Sequence, residues 1–209
     1  MRHAMVASQL RTNAVNDQRV VAAMARVPRE DFLPADVRDL AYRDATIPLG
    51  GGRYANLPMA TGRLLTEAYL TETDRVLLIG SATGYTAAVL AGIVGSVVAV
   101  ESDPALLAKA RSALAGTRNV EIVDAPLQAG HAAGAPYDVL IIDGAVESVP
   151  EALIAQVRPD GRVAAGIAEH GLTRLASGRK TEGGFALVAF VDVECVVLPG
   201  FETPKPFRF

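Results

Sequence analysis

Residues 76–85 read Val-Leu-Leu-Ile-Gly-Ser-Ala-Thr-Gly-Tyr. An apolar strand runs into a tight turn with a glycine at each end, and a helix-length segment follows. Only a residue without a β-carbon lets the backbone turn this sharply and lets a ligand approach the main chain closely. The helix start that follows offers unpaired N–H groups. Gly80, Ser81, Ala82 and Gly84, with Tyr85 in the first helical turn, are therefore a candidate ligand loop.

The surroundings of this segment set the fold class. From Asp74 onward, short apolar runs at 75–79, 97–100, 120–123, 138–142 and 162–167 alternate with helix-length segments at 84–93 and 104–115. That alternation is the mark of βαβ units around a mainly parallel sheet, an α/β fold. Asp103 stands as an N-cap with Pro104 at the first helical position. Near the C-terminus, 185–197 reads as one long strand that pairs with 172–177 as a hairpin across 178–184. Before a Pro/Gly-rich break at 46–58, Val6, Leu10 and Ala14, then Val20, Val21, Met24 and Val27, recur at helical spacing. Asn16 or Asp17 is placed to cap the second helix and Pro28 to end it.

The second strand of the unit ends in Glu101, 21 residues beyond Gly80. This is close to the roughly 20-residue offset at which an acid accepts hydrogen bonds from ribose hydroxyls. Loop and acid together predict an adenosine-bearing ligand at the carboxyl edge of the sheet. The dinucleotide fingerprint Gly-x-Gly-x-x-Gly is not matched, because the loop reads Gly-Ser-Ala-Thr-Gly, and no Gly-Lys-Ser/Thr phosphate cradle is present. The loop is shaped like the Gly-x-Gly-x-Gly of S-adenosylmethionine-dependent methyltransferases, with Ala82 in place of the middle glycine.

Composition narrows the rest. The chain has 209 residues, a length that predicts one compact unit. It has 20 basic and 23 acidic residues, a net charge of -3, and so no global field toward nucleic acid or an anionic membrane. No apolar run approaches the roughly 18 residues of a membrane span. With a single cysteine, Cys195, an internal disulfide and a cysteine-built zinc site are excluded, and no metal is expected. A cytoplasmic protein fits best. His3, His131 and His170 are scattered and suggest no nucleophilic triad.

Several separated pieces, in order, resemble the protein-L-isoaspartate O-methyltransferase family. They are Met5-Val6 with Gln9-Leu10; Val27-Pro28-Arg29-Glu30 with Phe32 and Pro34; Ala41-Tyr42 with Asp44; Ile47-Pro48-Leu49-Gly50; the Pro58 loop; Val76 to Tyr85 continuing into Ala87-Ala88-Val89-Leu90-Ala91; Val100-Glu101; Pro136-Tyr137-Asp138; and Val149-Pro150. The resemblance implies a Rossmann-like class I methyltransferase fold, with a seven-stranded, mostly parallel sheet and helices on both faces. It implies an N-terminal helical extension with the acceptor loop over 1–57 and a cofactor domain over 58–209.

It further implies S-adenosylmethionine as cofactor and isoaspartyl-containing proteins or peptides as acceptor. Gly80, Ser81, Ala82, Gly84 and Tyr85 would wrap the methionyl part, Glu101 with Ser102 would hold the ribose, and Asp124 would stand near the adenine. Asp143, at the end of the 138–142 strand, would touch the methionyl group or the acceptor. Arg53, Tyr54, Asn56 and Pro58 would form the acceptor loop, with Asn56 as the catalytic candidate beside the reacting carboxylate. Three positions depart from the family pattern: Asn56 stands for a serine, Leu78 for a glutamate and Ala82 for a glycine. They leave two alternatives open, a relative that methylates another acceptor and a silent module that binds S-adenosylmethionine.

Overall fold

The computed structural model describes residues 1–203. Two short strands, β1 (Ile47–Gly50) and β2 (Arg53–Ala55), pair as an antiparallel hairpin separate from the main sheet. The main sheet contains β3 (Arg75–Ile79), β4 (Ser96–Glu101), β5 (Val120–Asp124), β6 (Tyr137–Val146), β7 (Val157–Glu169), β8 (Leu172–Thr181) and β9 (Gly184–Asp192). Their order across it is β5-β4-β3-β6-β7-β8-β9. β3 runs parallel to both β4 and β6, and β6 parallel to β7, while β8 and β9 are antiparallel additions. This is the expected α/β architecture of seven strands.

The apolar runs of β3 and β6 are continuous because both faces of these central strands are covered. Leu78 and Ile141 point into one buried cluster, whereas Leu77, Ile79, Leu140 and Ile142 point into the other. The helices are α1 (Arg2–Met5), α2 (Gln18–Arg26), α3 (Pro58–Glu67), α4 (Tyr85–Ala91), α5 (Pro104–Ala113) and α6 (Glu151–Ile154). Asp17 accepts from Arg19 N to cap α2, and Asp103 accepts from Ala105 N and Leu106 N to cap α5. Apolar residues of the N-terminal section, among them Leu10, Val20 and Met24, share one buried cluster with Leu64 and Leu65 of α3 and Val89 and Leu90 of α4. Among the described residues no helix is long and apolar enough to cross a membrane.

The terminal hairpin differs from its expectation. Strand β8 continues to Thr181, so the turn to β9 is short, and β9 stops at Asp192 rather than at 197. Beyond it the chain crosses back over the sheet edge. Ala145 N donates to Val196 O at 2.7 Å, Leu198 N donates to Ala145 O at 2.9 Å, and Val197 forms an isolated bridge with Ala145. The apolar pattern of 185–197 does not break at Asp192. Only the partner of those backbone groups distinguishes a ninth strand from a crossing strap.

Chain order places the site. After β3 the sheet grows through β4 to β5, and the chain then returns to lay β6 on the other side of β3. The carboxyl ends of β3 and β6 therefore flank the point where the winding reverses, which is where an open α/β sheet leaves its crevice.

Candidate functional site

The loop after β3 is held in a conformation that glycine favours. Gly80 and Gly84 have φ of +77° and +97°, and Ala82 between them has φ of +49°. Gly80 N and Ser81 N both donate to Val100 O at 3.1 Å, so the turn is pinned to the end of β4. A β-carbon on Gly80 would lie 2.8 Å from Leu198 Cδ1, so close approach as well as φ requires glycine there.

At the end of β4 the Glu101 side chain is fully buried. Its Oε1 accepts from Ser102 N at 2.8 Å and Asp103 N at 3.1 Å, and its Oε2 accepts from Ala82 N at 2.8 Å. Arg53, from β2, adds a bidentate pair: Nη1 to Oε1 at 2.6 Å and Nη2 to Oε2 at 2.9 Å. Both partners are removed from solvent, and five donors, two of them from the Arg53 cation, satisfy the buried carboxylate. Arg53, expected at the acceptor, thus reaches instead to the acid expected at the ribose.

Asn56 follows β2 and is tied at every polar atom of its side chain and at its carbonyl. Its Nδ2 donates to Asp143 Oδ1 at 3.0 Å, its Oδ1 accepts from Val196 N at 2.9 Å, and its carbonyl accepts from Arg29 Nη2. Asp143, one residue past Ile142 in the last register pair of β3 with β6, also accepts from Thr86 Oγ1 at 2.5 Å and Thr61 Oγ1 at 3.4 Å.

Arg29 is buried with its guanidinium 4.9 Å from the Tyr85 ring centroid. Burial pushes the Arg29 guanidinium down from its ordinary value, while Tyr85 and Asp143 act in the opposite direction. Burial likewise pushes the Tyr85 phenol up, to about 12, so it is neutral at physiological pH.

These groups enclose one small cavity of about 20 Å³, room for about one water molecule by the usual minimum. Three polar atoms at its wall, Arg29 Nε, Ser81 Oγ and Tyr85 Oη, are buried without a hydrogen-bond partner. Buried polar groups left unmade cost about 1–3 kcal/mol each, so this wall suits a polar ligand that supplies the missing partners. A second, larger cavity of about 300 Å³ opens beside it, between Arg53 and Tyr54 on one side and the 194–198 strap on the other.

The structure therefore brings Gly80, Ser81, Ala82, Tyr85, Arg53, Asn56 and Asp143 around one cavity, with Tyr54, half exposed, at its rim. Gly84 caps the first turn of α4 from just behind, and Pro58 opens α3 beneath Asn56. Ser102 and Asp124 are exposed; Asp124 is the register partner of Glu101 on β5, beside the cavity rather than in it. The sequence reading missed Arg29, Thr61, Thr86 and Leu198. Arg29 and Thr86 sit inside motif pieces that were recognised, one after Pro28 and one after Tyr85, but Leu198 carries no local signal at all.

Comparison with known proteins agrees with this geometry. A family model for protein-L-isoaspartate(D-aspartate) O-methyltransferase matches residues 1–200. A Rhodopseudomonas palustris protein named protein-L-isoaspartate O-methyltransferase is 37% identical, covering 97% of this chain and 96% of its own. A solved protein-L-isoaspartate O-methyltransferase superposes with a TM-score of 0.84 at 26% identity, covering 96% of this chain and 66% of that one. A Plasmodium falciparum protein described under the same name, solved in complex with S-adenosyl-L-homocysteine, superposes at 0.77 with 16% identity, covering 94% and 97%. With the glycine loop, the β4 acid and the switch-point cavity in one place, the chain belongs to the protein-L-isoaspartate(D-aspartate) O-methyltransferase family.

Proposed function

We infer that the protein is an S-adenosylmethionine-dependent carboxyl methyltransferase whose acceptor is the free carboxylate of L-isoaspartyl residues in damaged proteins and peptides. The observation that carries this reading is the Gly80–Gly84 turn pinned against Glu101 at the sheet's reversal point, with Asn56 reaching the same cavity from the β1–β2 side. When bound, S-adenosylmethionine supplies an activated methyl group on a sulfonium. The chain's own work is to bind, align and exclude water. Glu101 would hold the ribose hydroxyls, the turn would follow the methionyl part, and Ser81 Oγ and Tyr85 Oη would find polar partners there.

An acceptor carboxylate is already ionised at neutral pH, so attack on the methyl carbon needs no proton transfer. What remains is alignment of oxygen, carbon and sulfur in a dry site. Asn56 Nδ2 carries two hydrogens; it gives one to Asp143, and the other is the donor we assign to the acceptor oxygen. The larger cavity beside Tyr54 is the opening we assign to the peptide. A chain with a single cysteine suits a reducing compartment, and we assign the protein to the cytoplasm.

One observation favours the second reading, a different acceptor. Asp143 lies within hydrogen-bond distance of Asn56, so a carboxylate entering there meets a like charge. The test is methyl transfer from S-adenosylmethionine to an isoaspartyl peptide beside its normal aspartyl twin, after calorimetric titration with S-adenosylmethionine and S-adenosylhomocysteine. Transfer to the isoaspartyl peptide alone supports the proposal. Cofactor binding without transfer to either peptide favours another acceptor or a silent S-adenosylmethionine-binding module, and no cofactor uptake removes the methyltransferase reading.

A further inference from the structure

The acid that reads the ribose has no acceptor site to spare. Glu101 takes three backbone N–H groups and both arms of the Arg53 guanidinium, five donors on two oxygens that offer about four lone-pair sites. Two ribose hydroxyls cannot join this set. The three backbone donors belong to the loop and to the β4 end, which are fixed by the sheet, so the group that can leave is Arg53. With Arg53 in place the cavity beside the Gly80–Gly84 turn has room for about one water.

The element that carries Arg53 is a small hairpin whose β1 side chains Ile47 and Leu49 are buried against Leu33, Ala41 and Leu106, so the part that can leave Glu101 is the Arg53 side chain. β1 and β2 form a two-stranded hairpin outside the main sheet, and a hairpin of that size is only marginally stable alone. Its tip is Gly50-Gly51-Gly52, with φ of +99°, +58° and +74°, and a β-carbon on Gly50 or Gly52 would meet nothing within 4 Å. The other end is anchored, because Asn56 is held by Arg29, Asp143 and Val196. A fixed base and a packed β1 leave the Arg53 side chain, beside the open glycine tip, as the one group on Glu101 that can withdraw.

We propose that Arg53 is the latch of the cofactor site: it occupies Glu101 in the free protein, and S-adenosylmethionine binds by exchange, the ribose diol taking the carboxylate as the Arg53 guanidinium withdraws. This rests on the functional reading above and adds a positioning residue to it. Arg53 acts through Glu101 and sets affinity by stabilising the free state. Removing its guanidinium leaves Glu101 buried without a counter-charge, with only its three backbone donors, until the diol arrives.

The direction of the effect is the test, because a residue that merely supports the site weakens binding when removed. Calorimetry with S-adenosylhomocysteine on the full chain and on Arg53→Met should give a dissociation constant lower in the variant by about tenfold or more, since each tenfold is about 1.4 kcal/mol. Arg53→Lys, which keeps the charge but not the two-armed geometry and so preserves folding best, should fall between the two.

An Arg53→Met or Arg53→Lys affinity equal to or weaker than that of the wild type overturns the latch while leaving the methyltransferase reading intact. No uptake by the wild type and both variants overturns the reading and the latch together. Uptake by the variants alone supports both.

Discussion

Ala82 shows how much one side chain can matter in this loop. It stands at φ +49°, a region that costs an L-residue about 1–2 kcal/mol. Gly80 and Gly84 hold comparable angles without that cost, and alanine tolerates it because its β-carbon is small. Ala82→Val should therefore lose about 1–2 kcal/mol of stability in urea unfolding, since a β-branched residue is a true outlier there. Ala82→Gly should be neutral or slightly stabilising. Wild-type stability in the valine variant would mean that the loop relaxes out of the left-handed region. The residue type at position 82 was legible as a departure from the glycine pattern, but its angle was not, because alanine by itself predicts negative φ.

Among the elements, strands and caps followed from local chemistry, and the joins between them did not. Asp138 is an example. It opens the central part of β6, accepts from Arg75 N at the start of β3, and pairs with Arg158 of β7 at 2.6 Å, so one carboxylate ties three neighbouring strands. Burial pushes this carboxyl up, but the bonds from Arg75 and Arg158 more than offset it, and the group sits below its ordinary value of 3.8.

A group whose native value is depressed lends stability above the unfolded value and loses it as pH falls through the native one. Asp138→Ala should thus cost about 1 kcal/mol in denaturant unfolding at pH 7 and less at a pH well below the ordinary carboxylate value, where the wild-type group protonates. An equal cost at both values would mean that packing, not charge, explains the loss. The sequence marked Asp138 as the start of a strand and the end of the Pro136-Tyr137-Asp138 piece, not as a tie between strands. That β3 and β7 lie on either side of it is a property of strand order, and strand order is set by which apolar faces can be covered together.

On the scale of the whole molecule, the Arg53–Glu101 pair links residues 48 positions apart and ties the separate hairpin to the sheet. Glu101→Ala leaves Arg53 as an uncompensated buried cation, so it should cost about 3–5 kcal/mol of stability with no ligand present. The same variant should lose S-adenosylhomocysteine binding. Thermal unfolding of the ligand-free variant checks the first effect independently of the second. A melting temperature equal to that of the wild type would show that the pair is not formed in solution.

What the sequence determined by itself was everything that depends on nearest neighbours: the strand-turn-helix around Gly80, the caps at Asp17 and Asp103, the continuous apolar runs that must be buried on both faces, and the acid about twenty residues beyond the loop. Backbone geometry and local hydrogen bonding specify those features within a few residues, so they appear in the residue pattern. Which charges meet was decided only in three dimensions. Arg53 on Glu101, Asn56 between Asp143 and Val196, and Leu198 over Gly80 come from segments 48 to 140 residues apart. A buried charge or amide must find a partner wherever the packed chain supplies one, and no local pattern encodes where that will be.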